Sequence, residues 1–116
     1  MDYINVEGLG KAGPYTHAVA SDDMLFISGM IGDGSTVSAQ LISAFNKVDK
    51  ILQRAGMSRD NIVKVTVYLS EGSLFSEMNE EYSRQFPIKK PARTTIIAKP
   101  PVEGALLEVE VIASKH

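Results

Sequence analysis

Arg93 is the residue on which any chemistry in this chain turns. It follows Lys89-Lys90-Pro91-Ala92 and leads into Thr94-Thr95-Ile96-Ile97-Ala98, a run with the composition of a buried β-strand. A guanidinium is always charged, so one placed where an apolar strand begins requires an anion to meet it. Further along, Leu106-Leu107-Glu108-Val109-Glu110-Val111-Ile112 sets two carboxylates in an otherwise apolar run. Strand periodicity sends Glu108 and Glu110 to one face and Leu107, Val109 and Val111 to the other. Two chemistries follow. Either the arginine and a glutamate form a structural ion pair, or Arg93 grips a small carboxylate through two parallel hydrogen bonds while Glu108 activates a water beside it.

The rest of the catalytic inventory is thin. His17 and His116 are the only histidines, and there is no cysteine, which removes disulfides, thiolate catalysis and cysteine metal sites. His17 stands between Thr16 and Ala18 with no glycine-elbow serine nearby, so a serine–histidine–acid triad has no support. No phosphate-binding glycine motif lies between a strand and a helix. Arginine, carboxylates, hydroxyls and backbone amides are what remain.

Elements must position these groups, and 116 residues make one domain with one core, spanning 1–116. Composition is that of a globular protein, 44% apolar and 22% charged. A net charge of −2 offers no bulk field for nucleic acid or an acidic membrane. No signal peptide or transmembrane run is legible, so a cytoplasmic protein is expected.

Short strands fill the first third: Tyr3 to Val6, Tyr15 to Ala20 and Met24 to Ser28, with Ser21-Asp22-Asp23 as a hairpin connection. Gly29, Gly32 and Gly34 read as a flexible loop. From Val37 the apolar residues recur at helical steps through Leu41, Phe45, Val48 and Leu52 to Ala55, where Gly56 can cap the helix. Ile62 to Leu69 is the cleanest strand, with Val63, Val65, Val67 and Leu69 expected on its apolar face. A second helix is expected from Ser73, as N-cap, to Phe86. Phe75, Met78, Tyr82 and Phe86 form its inner stripe and Glu81 lies outside. Two last strands follow Arg93 and Gly104. The order β-β-β-α-β-α-β-β predicts an α+β fold, a mixed β-sheet covered on one face by two helices. The uncovered face would carry Glu108, Glu110 and Ile112, with Arg93, Thr95 and Ile97 beside them. Such a mixture of apolar and charged groups suits a subunit interface, so a homo-oligomer is expected.

Five fragments occur in order along the chain. They are Gly13-Pro14-Tyr15-Thr16-His17-Ala18-Val19, Phe26-Ile27-Ser28-Gly29, Met78-Asn79-x-x-Tyr82, Pro91-Ala92-Arg93-Thr94 and Leu107-Glu108-Val109-Glu110-Val111-Ile112-Ala113. Together they resemble the RidA (reactive intermediate deaminase, YjgF) family over nearly the whole chain. The resemblance implies a chorismate-mutase-like protomer, assembled as a trimer with a central barrel and clefts between subunits. It implies a cofactor-free, metal-free hydrolysis of enamine and imine intermediates, such as 2-aminoacrylate and 2-imino acids, to 2-keto acids and ammonia. By the same resemblance, Arg93 matches the arginine that holds the substrate carboxylate and Glu108 the glutamate that positions the attacking water. Tyr15 and Ser28 match hydroxyls lining the cleft, and the backbone around Thr95 would hold the imine or water. A protein that binds a 2-keto acid or similar carboxylate without turnover is the alternative. A ribonuclease is disfavoured by the acidic charge. Three departures imply a reshaped pocket: Met30 where many members have glutamine, Thr95 where many have cysteine, and a short loop at 32–38. Asn79 is expected to brace loop backbone.

Overall fold

The computed structural model describes all 116 residues. Six strands and two helices follow one another as β1 (Asp2–Ile4), β2 (Ala18–Ser21), β3 (Met24–Met30), α1 (Val37–Arg54), β4 (Ile62–Leu69), α2 (Phe75–Gln85), β5 (Ala92–Ile97) and β6 (Leu107–Ser114). They form one mixed sheet in the order β1-β2-β3-β6-β4-β5, in which only the β4–β5 pair is parallel. This is the expected α+β order. No helix is long and apolar enough to cross a membrane.

The helices take their places for local reasons. Thr36 caps α1 by accepting a hydrogen bond from the Ala39 amide at 3.1 Å, a contact worth about 1 kcal/mol. The α1 stripe of Leu41, Phe45, Val48 and Leu52 is buried against the sheet, and the helix ends before Gly56, which takes a positive φ of 74°. Tyr82 in α2 and Phe86 just after it close on Phe45 with ring centroids 6.2 and 5.2 Å from it. Arg59 fastens the two helices by a two-pronged bond to Asp49, a bond to the Gln85 carbonyl and stacking on Phe45 and Phe86.

Several details depart from the sequence expectation. β2 begins at Ala18, leaving Tyr15 in the preceding loop. A bulge between Ile62 and Lys64 makes Val63 the extra residue of β4, so it is 41% exposed while Ile62 takes the core position. Ser73 does not cap α2. A short 3-10 turn, Gly72–Leu74, leads into the helix, and the Ser73 hydroxyl bonds Glu71 instead. Phe75 is partly exposed rather than core. Glu81 is 7% exposed, held by Arg84 and Gln85 on its own helix.

The glycine-rich segment after β3 is not a flexible loop. It is docked on α1: the Asp33 amide donates to Ser43 Oγ and the Ile31 carbonyl accepts from Lys47 Nζ. Gly32 permits the approach, because a methyl group there would lie 2.6 Å from the Ala44 nitrogen and overlap the Gln40 carbonyl. Gly32→Ala is therefore expected to destabilise the fold by about 1–3 kcal/mol in urea unfolding. Gly72→Ala, where a methyl group would meet nothing within 4 Å, is the control and should stay within about 0.5 kcal/mol. Equal losses in the two variants would show that contact with α1 is not what Gly32 serves.

Candidate active site

The site begins with a bulge. Strand β3 pairs with β6 through Leu25–Ala113 and Ile27–Val111, then slips by one residue so that Met30 meets Val109. Ser28 and Gly29 are thereby set opposite the single residue Glu110. A bulge of this kind bends the strand and re-aims its side chains. The Ser28 hydroxyl turns back to donate to the Thr16 carbonyl at 2.7 Å, and its amide donates to the His17 carbonyl. Ser28 therefore lies within β3, not at its end.

Glu108 occupies the space that Gly29 leaves. A methyl group on Gly29 would come within 2.8 Å of the Glu108 carboxyl carbon. Glu108 is half-buried, and burial raises its pKa above the ordinary carboxylate value, with the negative charge of Glu110 adding to the effect. Glu110 accepts a hydrogen bond from Tyr68 at 3.0 Å, and that bond and charge raise the tyrosine's pKa in turn. The three side chains share the open face of the sheet.

A cleft of about 660 Å³ forms over this face, bordered by Tyr15, Ser28, Gly29, Glu108 and the 101–102 segment. The Tyr15 hydroxyl accepts from the Ala12 amide at 2.9 Å, which holds the 10–15 loop as one wall. His17 fixes the same loop from beneath. At 1% exposed, it accepts from the Val6 amide through Nδ1 and reaches the Gly10 carbonyl through Nε2. Accepting at Nδ1 and donating at Nε2 require the neutral ring, so His17 is a loop clamp.

Arg93 is elsewhere. It pairs with Val65 in β5, so it shares the helix-covered face with Val65, as Thr95 does with Val67. Glu108 pairs with Tyr68 on the other face. The expectation that Arg93 and Thr95 lie beside Glu108 is thus overturned, because the parity of β5 is set by its register against β4. Two inter-strand spacings and three residues along β4 also separate the two groups, roughly 14 Å in the plane of the sheet. None of the four ion pairs in the protein includes Arg93, so a structural Arg93–Glu pair is absent as well.

What surrounds Arg93 is aromatic. Its guanidinium lies 4.7 Å from the Tyr82 ring centroid and 5.8 Å from that of Phe75, and its one polar contact is the Met78 thioether at 3.9 Å. The same layer holds buried polar atoms without partners: Tyr82 OH, Asn79 Oδ1 and Thr95 Oγ1. Asn79 thus braces no loop through its carbonyl oxygen. Burial pushes the Tyr82 hydroxyl up to about 12, opposed in part by the charge of Arg93.

Sequence reasoning missed Gly29 and the aromatic bed of Arg93. The first had a signal in the glycine following Ser28; the second lay in Phe75 and Tyr82, two helical turns apart. The structure brings Tyr15, Ser28 and Glu108 to one cleft and leaves Arg93 and Thr95 at the opposite surface of the β5 edge.

The sequence model of the family described as Endoribonuclease L-PSP matches residues 7–115. This chain belongs to the YjgF/RidA/UK114 family. A RutC family protein of Aquifex aeolicus is 43% identical over 112 residues, covering 89% of this chain and 90% of that protein. A human protein named 2-iminobutanoate/2-iminopropanoate deaminase is 34% identical over 113 residues, covering 90% and 82%. The solved YjgF gene product of E. coli superposes with a TM-score of 0.90 at 25% identity over the full length of both chains. The α+β fold is therefore that of the family.

Electrostatics at the cleft yields a direct expectation. Replacing Glu110 by glutamine lowers the titration midpoints of both Glu108 and Tyr68, read by carbon NMR at Glu Cδ and Tyr Cζ. Glu108 should stay above the ordinary carboxylate value, since burial is the larger cause. Glu108 keeps its proton to a higher pH when folded, so its contribution to stability is present below the unfolded midpoint and falls as pH rises through the folded one. An unmoved Glu108 midpoint in Glu110→Gln would contradict the coupling.

Proposed function

We propose that this protein hydrolyses 2-imino acids and their enamine tautomers to 2-keto acids and ammonia, in clefts between neighbouring copies of a homotrimer. The observation that carries the reading is the unpaired guanidinium of Arg93. Arg59 stacks on two aromatic rings and also has its carboxylate, Asp49. Arg93 stacks on two rings and has none. A fork of donors held over aromatic rings at an edge strand, with no carboxylate of its own, is suited to a planar carboxylate arriving from outside. The human relative named as an imine deaminase supports the same chemistry.

In this reading the substrate carboxylate rests on Arg93, with the backbone near Thr95 orienting the imine. Water adds to the imine carbon, giving a carbinolamine, and loss of ammonia leaves the keto acid. Glu108 passes a proton from the attacking water to the imine nitrogen as the carbinolamine forms, and then passes the carbinolamine hydroxyl proton to the same nitrogen as ammonia departs. A carboxyl whose pKa is raised by burial serves both transfers better than an ordinary one. Tyr15 and Ser28 line the cleft on the Glu108 side. An imine next to a carboxylate is already electrophilic, so orientation and one proton-transfer group suffice.

Arg93 and Glu108 cannot both touch a four-carbon substrate within one chain. A second copy, its β5 edge brought over the first copy's cleft, supplies the missing half. The open face offers partly exposed Phe26 and Ile96 for such contact. A phosphodiester substrate is disfavoured by the Glu108, Glu110 and Asp33 carboxylates around the cleft.

The test generates imines with an amino-acid oxidase and traps survivors with semicarbazide. Wild type should suppress the trapped product. Arg93→Ala should lose about 100-fold or more in kcat/KM, and Glu108→Gln about 100-fold or more in kcat with 2-keto acid binding retained. Wild type and Glu108→Gln behaving alike would favour the non-catalytic binder. Co-assembly of the two inactive variants should restore roughly a quarter of the sites, since some then join an intact Arg93 to an intact Glu108 from the neighbouring chain. No recovery would place the whole site within one protomer.

A further inference from the structure

Gln40 is 4% exposed in the first turns of α1, and its amide is spent on three backbone groups. Nε2 donates to the Gly34 carbonyl at 3.0 Å and to the Gly104 carbonyl at 3.1 Å, and Oε1 accepts from the Leu106 amide at 2.8 Å. These partners define the amide orientation, because only the NH2 can meet two carbonyls and only the oxygen can meet an N–H. One side chain thereby links residue 34 with residues 104–106. No backbone hydrogen bond joins those two segments.

Both segments border the cleft, the first through Ile31 and Asp33, the second through Pro101 and Val102. They are not held equally. The 31–34 segment is tied to α1 by Lys47 and Ser43 in addition to Gln40. The 101–106 segment packs Leu106 against the core, but its only side-chain hydrogen bonds to the rest of the protein are those of Gln40, and its backbone joins the sheet through the Ser70 amide and the Leu106 carbonyl. Loss of the Gln40 amide strands three backbone groups without partners and frees one wall while the other stays.

We propose that Gln40 is a positioning residue that fixes the 101–106 wall and so sets which side-chain sizes the cleft admits. This rests on the imine-hydrolase reading. Gln40 touches no substrate: it acts through Gly104 and Leu106 on the wall containing Pro101 and Val102. A fixed wall discriminates between side chains by shape, whereas a loosened one discriminates less.

Gln40→Met keeps the volume of the side chain and removes its hydrogen bonds. In this variant, amide exchange of residues 102–106 should speed by at least about tenfold while that of residues 31–35 changes little. The kcat/KM ratio between 2-iminopropanoate and the imine of phenylalanine should move toward one by about tenfold, mainly through KM. Unchanged exchange at 102–106, or equal loosening of both walls, overturns the proposal. Loosening with an unchanged substrate ratio overturns the specificity role. Should the variant not fold, wild type decides. Its Gln40 side-chain NH2 and Leu106 amide must exchange as slowly as strand amides, and fast exchange there refutes the clamp. Exchange does not depend on turnover, so a wild type that hydrolyses no imine would defeat the functional reading alone. The wall would then be read through the affinities of 2-keto acids of differing size.

Discussion

Strand parity governs this molecule. In β5 and β6 alike, successive side chains point to opposite faces, and the pairing of both strands with β4 fixes which face each residue takes. Val65, Val67, Val109 and Val111 must meet the helices, since they form the buried centre. That requirement places Glu108 and Glu110 on the open face and Arg93 under α2. Glu108 could not exchange faces without carrying the core valines of β6 into water, and Arg93 could not without a one-residue slip of β5 against β4. The separation of Arg93 from Glu108 is thus a consequence of how the core is made and how β5 is registered on β4.

Each charge also sits where desolvation is tolerable. β5 is an edge strand, so Arg93 can lie over Tyr82 and Phe75 while the residue stays only partly buried. Glu108 is in an interior strand but on a face that no helix covers, and its proton is retained to higher pH because burial there is partial. Arg59 shows the structural use of the same residue type in this chain, with two hydrogen bonds to Asp49 and a third to a carbonyl. The contrast between the two arginines lies in the carboxylate, since both have aromatic beds.

Local pattern carried much of this into the sequence. The span of β4, the course of α1 and the facing of Glu108 and Glu110 follow from periodicities within single segments, and the five fragments taken together in order were enough to indicate the family. Relations between segments were not legible. The face taken by Arg93 depends on the register of β5 against β4, and nothing within Ala92 to Ile97 encodes that register. Val63 is displaced by an extra residue in β4 that its alternating sequence conceals. Glycines at 32 and 34 have the composition of a mobile loop, and their role in close approach to α1 exists only once the helix is placed beside them.

The bulge at Ser28 and Gly29 explains why replacing a polar residue at position 30 need not strip the cleft. With one residue inserted opposite Glu110, Met30 pairs with Val109, and Val109 is a core position. The side chain of Met30 is accordingly buried among apolar neighbours, although the residue borders the cleft. In this register a flexible thioether fills space between sheet and helix that an amide could occupy only by finding buried partners. The polarity of the cleft is instead set by groups the bulge re-aims: the Ser28 hydroxyl turned onto Thr16 and the Glu108 carboxyl lodged over Gly29. Changes at position 30 therefore act on packing, whereas changes at 28 and 29 act on the geometry of Glu108.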